Sequence, residues 1–183
     1  MAAWREKQRV KHAYDVTADI YDKRYQEEQS RKYRASLAHL SVVDAVVLDV
    51  GCGSGLFFDA VANQAQLVVG IDLSHKLLRK AHKRAKGFDR VFVIQADADH
   101  LPFTDATFDA EFALTILQNM PHPALTLTEL KRTLRDSRKL AVTGLKKAFK
   151  LEIFMDLMEN SGMQLEAFVD NQTINCYIAI LTT

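Results

Sequence analysis

Apolar positions along this chain fall into short dense runs, and amphipathic stretches separate them. From Trp4 to about His39 the sequence is polar, rich in Arg, Lys, Glu and Tyr, and free of Gly and Pro. That pattern predicts two successive helices, with a break near Gln29-Ser30. The pattern then changes: Val46-Val47-Leu48-Asp49-Val50 is nearly continuous in apolar, β-branched residues, as expected for a strand buried on both faces of a parallel sheet. Leu56 to Gln64 reads as a helix, and Leu67 to Asp72 as a second buried strand. Ser74 can cap a helix running to about Lys86, with Leu77, Leu78 and Ala81 on its inner face. Val91–Ala96, Phe108–Leu114 and Lys139–Gly144 supply three further strands. Helices are predicted from about Pro123 to Leu134 and from Leu151 to Asn160, the latter ended by Gly162.

The rhythm breaks at the end. Met163–Val169 and Thr173–Leu181 both read as strands, joined only by Asp170-Asn171-Gln172. So short a link permits a hairpin and not a parallel crossover, so this pair is expected to be antiparallel. An α/β fold of five βα units closed by a hairpin follows. No repeat, low-complexity tract or linker divides the chain, and 183 residues suit one domain, 1–183.

Composition narrows the function classes. The formal net charge of +1 offers no global attraction for nucleic acid. Cys52 and Cys176 lie far apart with no CxxC spacing, which suggests neither a disulfide framework nor a metal site. The charged N-terminus is unlike a signal peptide and no apolar run reaches membrane-span length, so a cytoplasmic location is expected.

The candidate chemistry gathers after the first strand, in Asp49-Val50-Gly51-Cys52-Gly53-Ser54-Gly55. Glycines between a strand and a helix let the backbone turn sharply and approach a ligand closely. The same spacing also serves a tight connection with no ligand. Asp72 closes the second strand about twenty residues on, placed for ribose hydroxyls, and Asp97 follows the third, placed for the exocyclic amine of an adenine. Three consecutive strands thus bring polar groups to one sheet edge. Asp49, two residues before the first glycine, would repel a pyrophosphate but attract an ammonium-bearing sulfonium amino acid. The carboxylate therefore favours S-adenosyl-L-methionine over a dinucleotide.

With these residues in hand, the chain resembles the class I S-adenosylmethionine-dependent methyltransferases. Val47–Gly55 is similar to their first motif, Gly70–Ser74 to the second and Ala96–Phe103 to the third, while Phe108–Phe112 resembles the fourth strand. Tyr14–Tyr25 resembles the aromatic N-terminal signature of the ubiquinone and menaquinone biosynthesis type, in which a helix closes over the cofactor. The resemblance implies a Rossmann-like three-layer sandwich. Its mostly parallel seven-stranded sheet has order 3-2-1-4-5-7-6, with strand 7 antiparallel, and residues 1–40 form a helical lid over a core at 45–183. It also implies contacts to the cofactor from Tyr21, Asp49, Gly51, Cys52, Gly53, Gly55, Asp72, Leu73, Asp97, Ala98 and Thr115, with S-adenosyl-L-homocysteine as the product.

Methyl transfer from a sulfonium is an in-line displacement, so alignment and water exclusion matter more than a dedicated base. Gln118 and Asn119 follow the fourth strand, where they can orient an acceptor. His122 can serve as a base or simply stand at a helix start, and His100 reads as a solvated loop residue. Tyr14, Tyr21 and Tyr25 recur at spacings of seven and four that suit a helical packing stripe, whereas the resemblance implies cofactor cover from Tyr21. Basic residues cluster at Arg31–Arg34, Arg79–Lys86 and Lys131–Lys139, as solvated faces or, if they converge on the site, as a path for RNA. The expected acceptor is a small molecule. The alternatives are RNA or protein methylation with an activating partner, and cofactor binding without catalysis.

Overall fold

The computed structural model describes residues 2–183. Its strands are β1 (Val46–Val50), β2 (Leu67–Asp72), β3 (Val91–Gln95), β4 (Phe108–Ala113), β5 (Leu134–Leu145), β6 (Gln164–Val169) and β7 (Cys176–Thr182). They form one seven-stranded sheet of order β3-β2-β1-β4-β5-β7-β6. β1 to β5 run parallel, and β7 runs antiparallel to both β5 and β6, as the short final link requires. The helices are α1 (Ala2–Thr17), α2 (Tyr21–Leu37), α3 (Phe58–Val61), α4 (His75–Ala85), α5 (Pro123–Thr133) and α6 (Leu151–Glu159).

Alternation along the strands builds three layers. Val47 and Val68 join Phe57, Phe58, Leu78, Ala81 and Phe112 in one core cluster, under α3 and α4. Their neighbours Leu48 and Val69 join Leu127, Leu130, Leu140, Phe154 and Met158 in the other, under α5 and α6. Both faces of the central strands are therefore dry, which explains their unbroken apolar runs. Removing a fully buried ring such as Phe58 or Phe154 costs about 3–5 kcal/mol.

Several boundaries differ from expectation. The N-terminal helices break at a 3-10 turn, Ala18–Ile20, and not at Gln29-Ser30. Helix α2 runs unbroken there because Gln29, Lys32 and Ser36 form its buried face. The helix expected over Leu56–Gln64 contracts to α3, bracketed by turns. Gly55, at φ +79°, lies so close to Phe58 that a Cβ would stand 2.5 Å from its ring. Strand β5 begins at Leu134, five residues earlier than expected, pairing with Phe108 before its register against β4 shifts and resumes at Lys139 opposite Ala110. Thr173 belongs to the turn before β7, because its N–H donates to Asn171 Oδ1 at 2.8 Å. Ser74 does cap α4, accepting the Leu77 N–H at 3.1 Å. No helix among the described residues is long and apolar enough to cross a membrane.

One buried acid stands out in this core. Glu111 lies on β4 opposite Leu48 and Leu140, on the face covered by α5. Its Oε1 accepts a hydrogen bond from Thr133 at 2.7 Å, and its Oε2 has no partner. Burial pushes its carboxyl up to about 8, against smaller opposing effects of the Thr133 hydroxyl and Arg132. As pH rises from about 4 to about 8, the unfolded chain loses this proton and the folded chain keeps it. Folding stability is therefore lost across that window. In urea denaturation, Glu111→Gln is expected to gain roughly 1–3 kcal/mol on wild type between pH 5 and pH 8. A constant gap across that range contradicts the assignment.

Candidate functional site

The carboxyl ends of β1 to β4 meet at one sheet edge, and the turns leaving them enclose a cavity of about 720 Å³, its open mouth included. Two residues at the end of β2 hold the turn after β1. The Ile71 carbonyl accepts the N–H groups of Gly51 and Cys52, both at 2.8 Å. Asp72 Oδ2 accepts the Gly53 N–H at 2.9 Å, while its Oδ1 accepts the Ser74 N–H at 2.7 Å. Gly51 and Gly53 have φ of +75° and +57°, a region that disfavours side chains. A Cβ on Gly51 would stand 3.2 Å from Ile116, and one on Gly53 3.5 Å from the Tyr21 ring. The glycines thus leave a slot that side chains would narrow.

Most of the expected residues line this cavity. Tyr21, Gly51, Gly53, Asp72, Leu73, Asp97, Ala98, Thr115 and Asn119 all face it. Asp49, Cys52, Gly55 and Gln118 are not among its lining residues. Asp49 and Cys52 are buried behind the turn, on the side of Tyr33, and Gly55 packs on Phe58 and Ala81. Gln118 donates from Nε2 to the Thr115 carbonyl at 2.6 Å, and its Oε1 is buried without a partner. His100 and His122 are exposed and do not line the cavity.

Electrostatics behind the glycine turn are unusual. Asp49 is 3% exposed, and its Oδ2 has no hydrogen-bond partner. Burial, with the Asp72 carboxylate nearby, pushes its carboxyl up to about 8. Asp72 is itself raised, chiefly by burial. Burial also raises Tyr14 and Tyr21, so both phenols keep their protons at neutral pH. The buried Asp49 carboxyl with its orphan oxygen, beside the half-buried Asp72, suits a positively charged ligand group, which would restore the charge lost to desolvation.

Thr115, just after β4, adopts a left-handed conformation with φ +67°. Its neighbours hold it there. Thr143 Oγ1 accepts the Thr115 N–H at 2.7 Å, and the buried Lys32 ammonium donates to Thr115 Oγ1 at 3.0 Å. Asn119 Nδ2 donates to the Thr115 carbonyl at 3.2 Å and to Tyr14 Oη at 3.1 Å. Such a conformation costs on the order of 1–2 kcal/mol outside glycine.

Sequence reasoning missed the residues that α1 brings: Lys7, Val10, Lys11 and Tyr14 line the cavity beside Tyr21. The repeated tyrosines were a signal for Tyr14. Nothing distinguishes Lys7 from the other lysines of a polar helix. None of the clustered basic residues lines the cavity, although the buried Lys32 reaches the lining residue Thr115. Arg84 pairs with Asp22 and Asp59, Arg132 with Glu129 and Asp105, and Arg135 with Asp109.

Comparison with known proteins agrees with this geometry. Residues 48–142, just over half of the chain, match the family model described as a methyltransferase domain. The chain is 36% identical over 116 residues to the demethylmenaquinone methyltransferase of Lactiplantibacillus plantarum, an alignment covering 60% of this chain and 48% of that protein. It is 34% identical over 119 residues to the ubiquinone biosynthesis O-methyltransferase of Xylella fastidiosa, covering 62% and 48% respectively. The chain thus spans about half the length of these curated relatives. In fold it is similar to the crystal structure of a SAM-dependent methyltransferase from Aquifex aeolicus, with TM-score 0.80, 20% identity, and 91% and 97% of the two chains covered. With the glycine turn, the strand order and the family match in agreement, the chain belongs to the class I S-adenosylmethionine-dependent methyltransferases.

Proposed function

We propose that this chain transfers the methyl group of S-adenosyl-L-methionine to a small-molecule acceptor, releasing S-adenosyl-L-homocysteine. The observation that carries the reading is the orphan oxygen of Asp49 beneath a glycine turn tied to Asp72. Bound there, the cofactor supplies an activated sulfonium methyl, and the chain's residues need only align and shield the reacting atoms. In this reading Gly51 and Gly53 leave room for the methionine end, and Tyr21 covers it. Cys52 and Gly55 shape the turn from behind. Asp49 supplies the countercharge, Asp72 accepts ribose hydroxyls, Leu73 and Ala98 flank the base, and Asp97 accepts its amine. Thr115 presents its backbone beside the reacting centre. Asn119 orients the acceptor, and Gln118 supports it indirectly by holding Thr115.

Helices α1 and α2 act as a lid, the expected 1–40 of which Met1 lies outside the described residues, on the core at 45–183 of a single domain. Apolar walls from Leu114, Ile116 and Met120 with the Tyr14 and Tyr21 rings favour an acceptor with an apolar body. This matches the quinone names of the two relatives. The pairing of the basic clusters weighs against RNA, and no observation calls for an activating partner. Both cysteines are free and buried, which accords with a reducing, cytoplasmic location.

Two measurements test the reading. Without ligand, the Asp49 carboxyl must stay protonated to fold well, so wild type loses stability as pH rises from about 4 to about 8. Asp49→Asn is expected to match or exceed wild-type stability at pH 7.5 while binding S-adenosylhomocysteine at least about tenfold more weakly. Unchanged affinity contradicts the countercharge role. Incubation with methyl-labelled cofactor and fractionated cell extract is expected to label the small-molecule pool. Label confined to RNA or protein overturns the acceptor class, and label in no pool overturns catalysis.

A further inference from the structure

Helix α1 is polar on most of its surface, and its one buried side chain is a lysine, Lys7, 7% exposed. The Lys7 ammonium donates to Asp97 Oδ1 at 2.6 Å and lies 2.5 Å from Asp99 Oδ2. Asp99 is held in turn: its Oδ1 accepts the Thr126 hydroxyl of α5 at 2.5 Å, and its own N–H donates to Asp97 Oδ1 at 3.1 Å. Both hydrogen bonds to Asp97 thus fall on one oxygen. Among the described residues no donor reaches Oδ2, although Lys7 and Asp97 both line the cavity. An ammonium between two carboxylates cancels the repulsion that would otherwise turn Asp97 away from Asp99.

We propose that Lys7 is a positioning residue that fixes Asp97 with its free oxygen toward the cavity, and so makes the site selective for a nucleoside base bearing an amine. The inference rests on the cofactor reading above. A carboxylate oxygen only accepts, so it rewards an exocyclic amine and opposes a carbonyl at the same ring position. Lys7 thereby gives the N-terminal helix a part in base recognition, beyond covering the ligand. Helix closure and base choice are joined in one ion triad, which links α1 to the turn after β3 and is braced on α5 by the Thr126 hydroxyl.

The test compares two ligands by calorimetry: S-adenosylhomocysteine and S-inosylhomocysteine, which carries a carbonyl where adenine has its amine. Wild type is expected to prefer the adenosyl ligand. Lys7→Met is expected to reduce that preference at least about tenfold, the scale of one charge-assisted hydrogen bond. Lys7→Gln, which keeps a polar group at the buried site, is expected to shift it in the same direction and serves if the methionine variant does not fold. Equal weakening of both ligands in a folded variant overturns the inference, because it marks Lys7 as a helix anchor alone. Unchanged affinities overturn it too. Wild type that binds neither ligand overturns the cofactor reading beneath it, whereas wild type with no preference between them overturns only the inference.

Discussion

The hold that the end of β2 keeps on the turn after β1 organises everything else at the sheet edge. Four backbone N–H groups converge on the Ile71 carbonyl and the Asp72 carboxylate, at 2.7–2.9 Å. Backbone donors at a strand end otherwise depend on water or a ligand. Satisfied here, they fix the positive φ of Gly51 and Gly53 and draw the start of α4 into the same frame through Ser74. The cavity exists because that turn cannot relax. The apolar clusters on the two sheet faces supply the rigidity behind it, since neither face of β1 can shift without opening the core.

Over this rigid edge the N-terminal helices are held by Tyr33 of α2, packed on Phe57 of the core, and by a set of polar ties. Lys7 reaches Asp97 and Asp99, the Ser74 hydroxyl and Lys76 N–H donate to Asp15, Lys80 donates to the Ala18 carbonyl, and Arg84 pairs with Asp22. The partly exposed Arg84–Asp22 pair contributes little, about 0–1 kcal/mol, and salt screens it, whereas Lys7 is buried between its two carboxylates and is costly to part from them. The contrast in chemistry between the two parts is already visible in the composition of the first forty residues.

Strand positions, the direction of the final pair and the glycine turn were legible because each rests on a local rule: unbroken apolar runs for strands buried on both faces, a link too short for a crossover, glycines where φ must be positive. The sheet order was legible only through the family resemblance. Boundaries were less legible where tertiary packing overrides propensity. Gln29-Ser30 looked like a break in a polar helix, yet Gln29 lies with Lys32 on the buried face of α2 against Thr115. The expected helix after Gly55 shrank because Phe58 must lie against that glycine. At the site, Asp72, Asp97 and Tyr21 could be foreseen from spacing and resemblance. Lys7 could not, because its partners stand ninety residues away and only the fold unites them. The strained backbone of Thr115 is likewise set by Thr143 and Lys32, which no local pattern connects to it.

The central claim is that a cationic nucleoside cofactor binds between this turn and the tyrosines of the N-terminal helices. The most direct measurement is a crystal structure of the chain grown with S-adenosylmethionine. The expected result is density for the cofactor along the Gly51–Gly53 turn, with its ribose at Asp72 and its ammonium near Asp49. Full occupancy elsewhere on the molecule, or an empty turn at saturating cofactor, would contradict it.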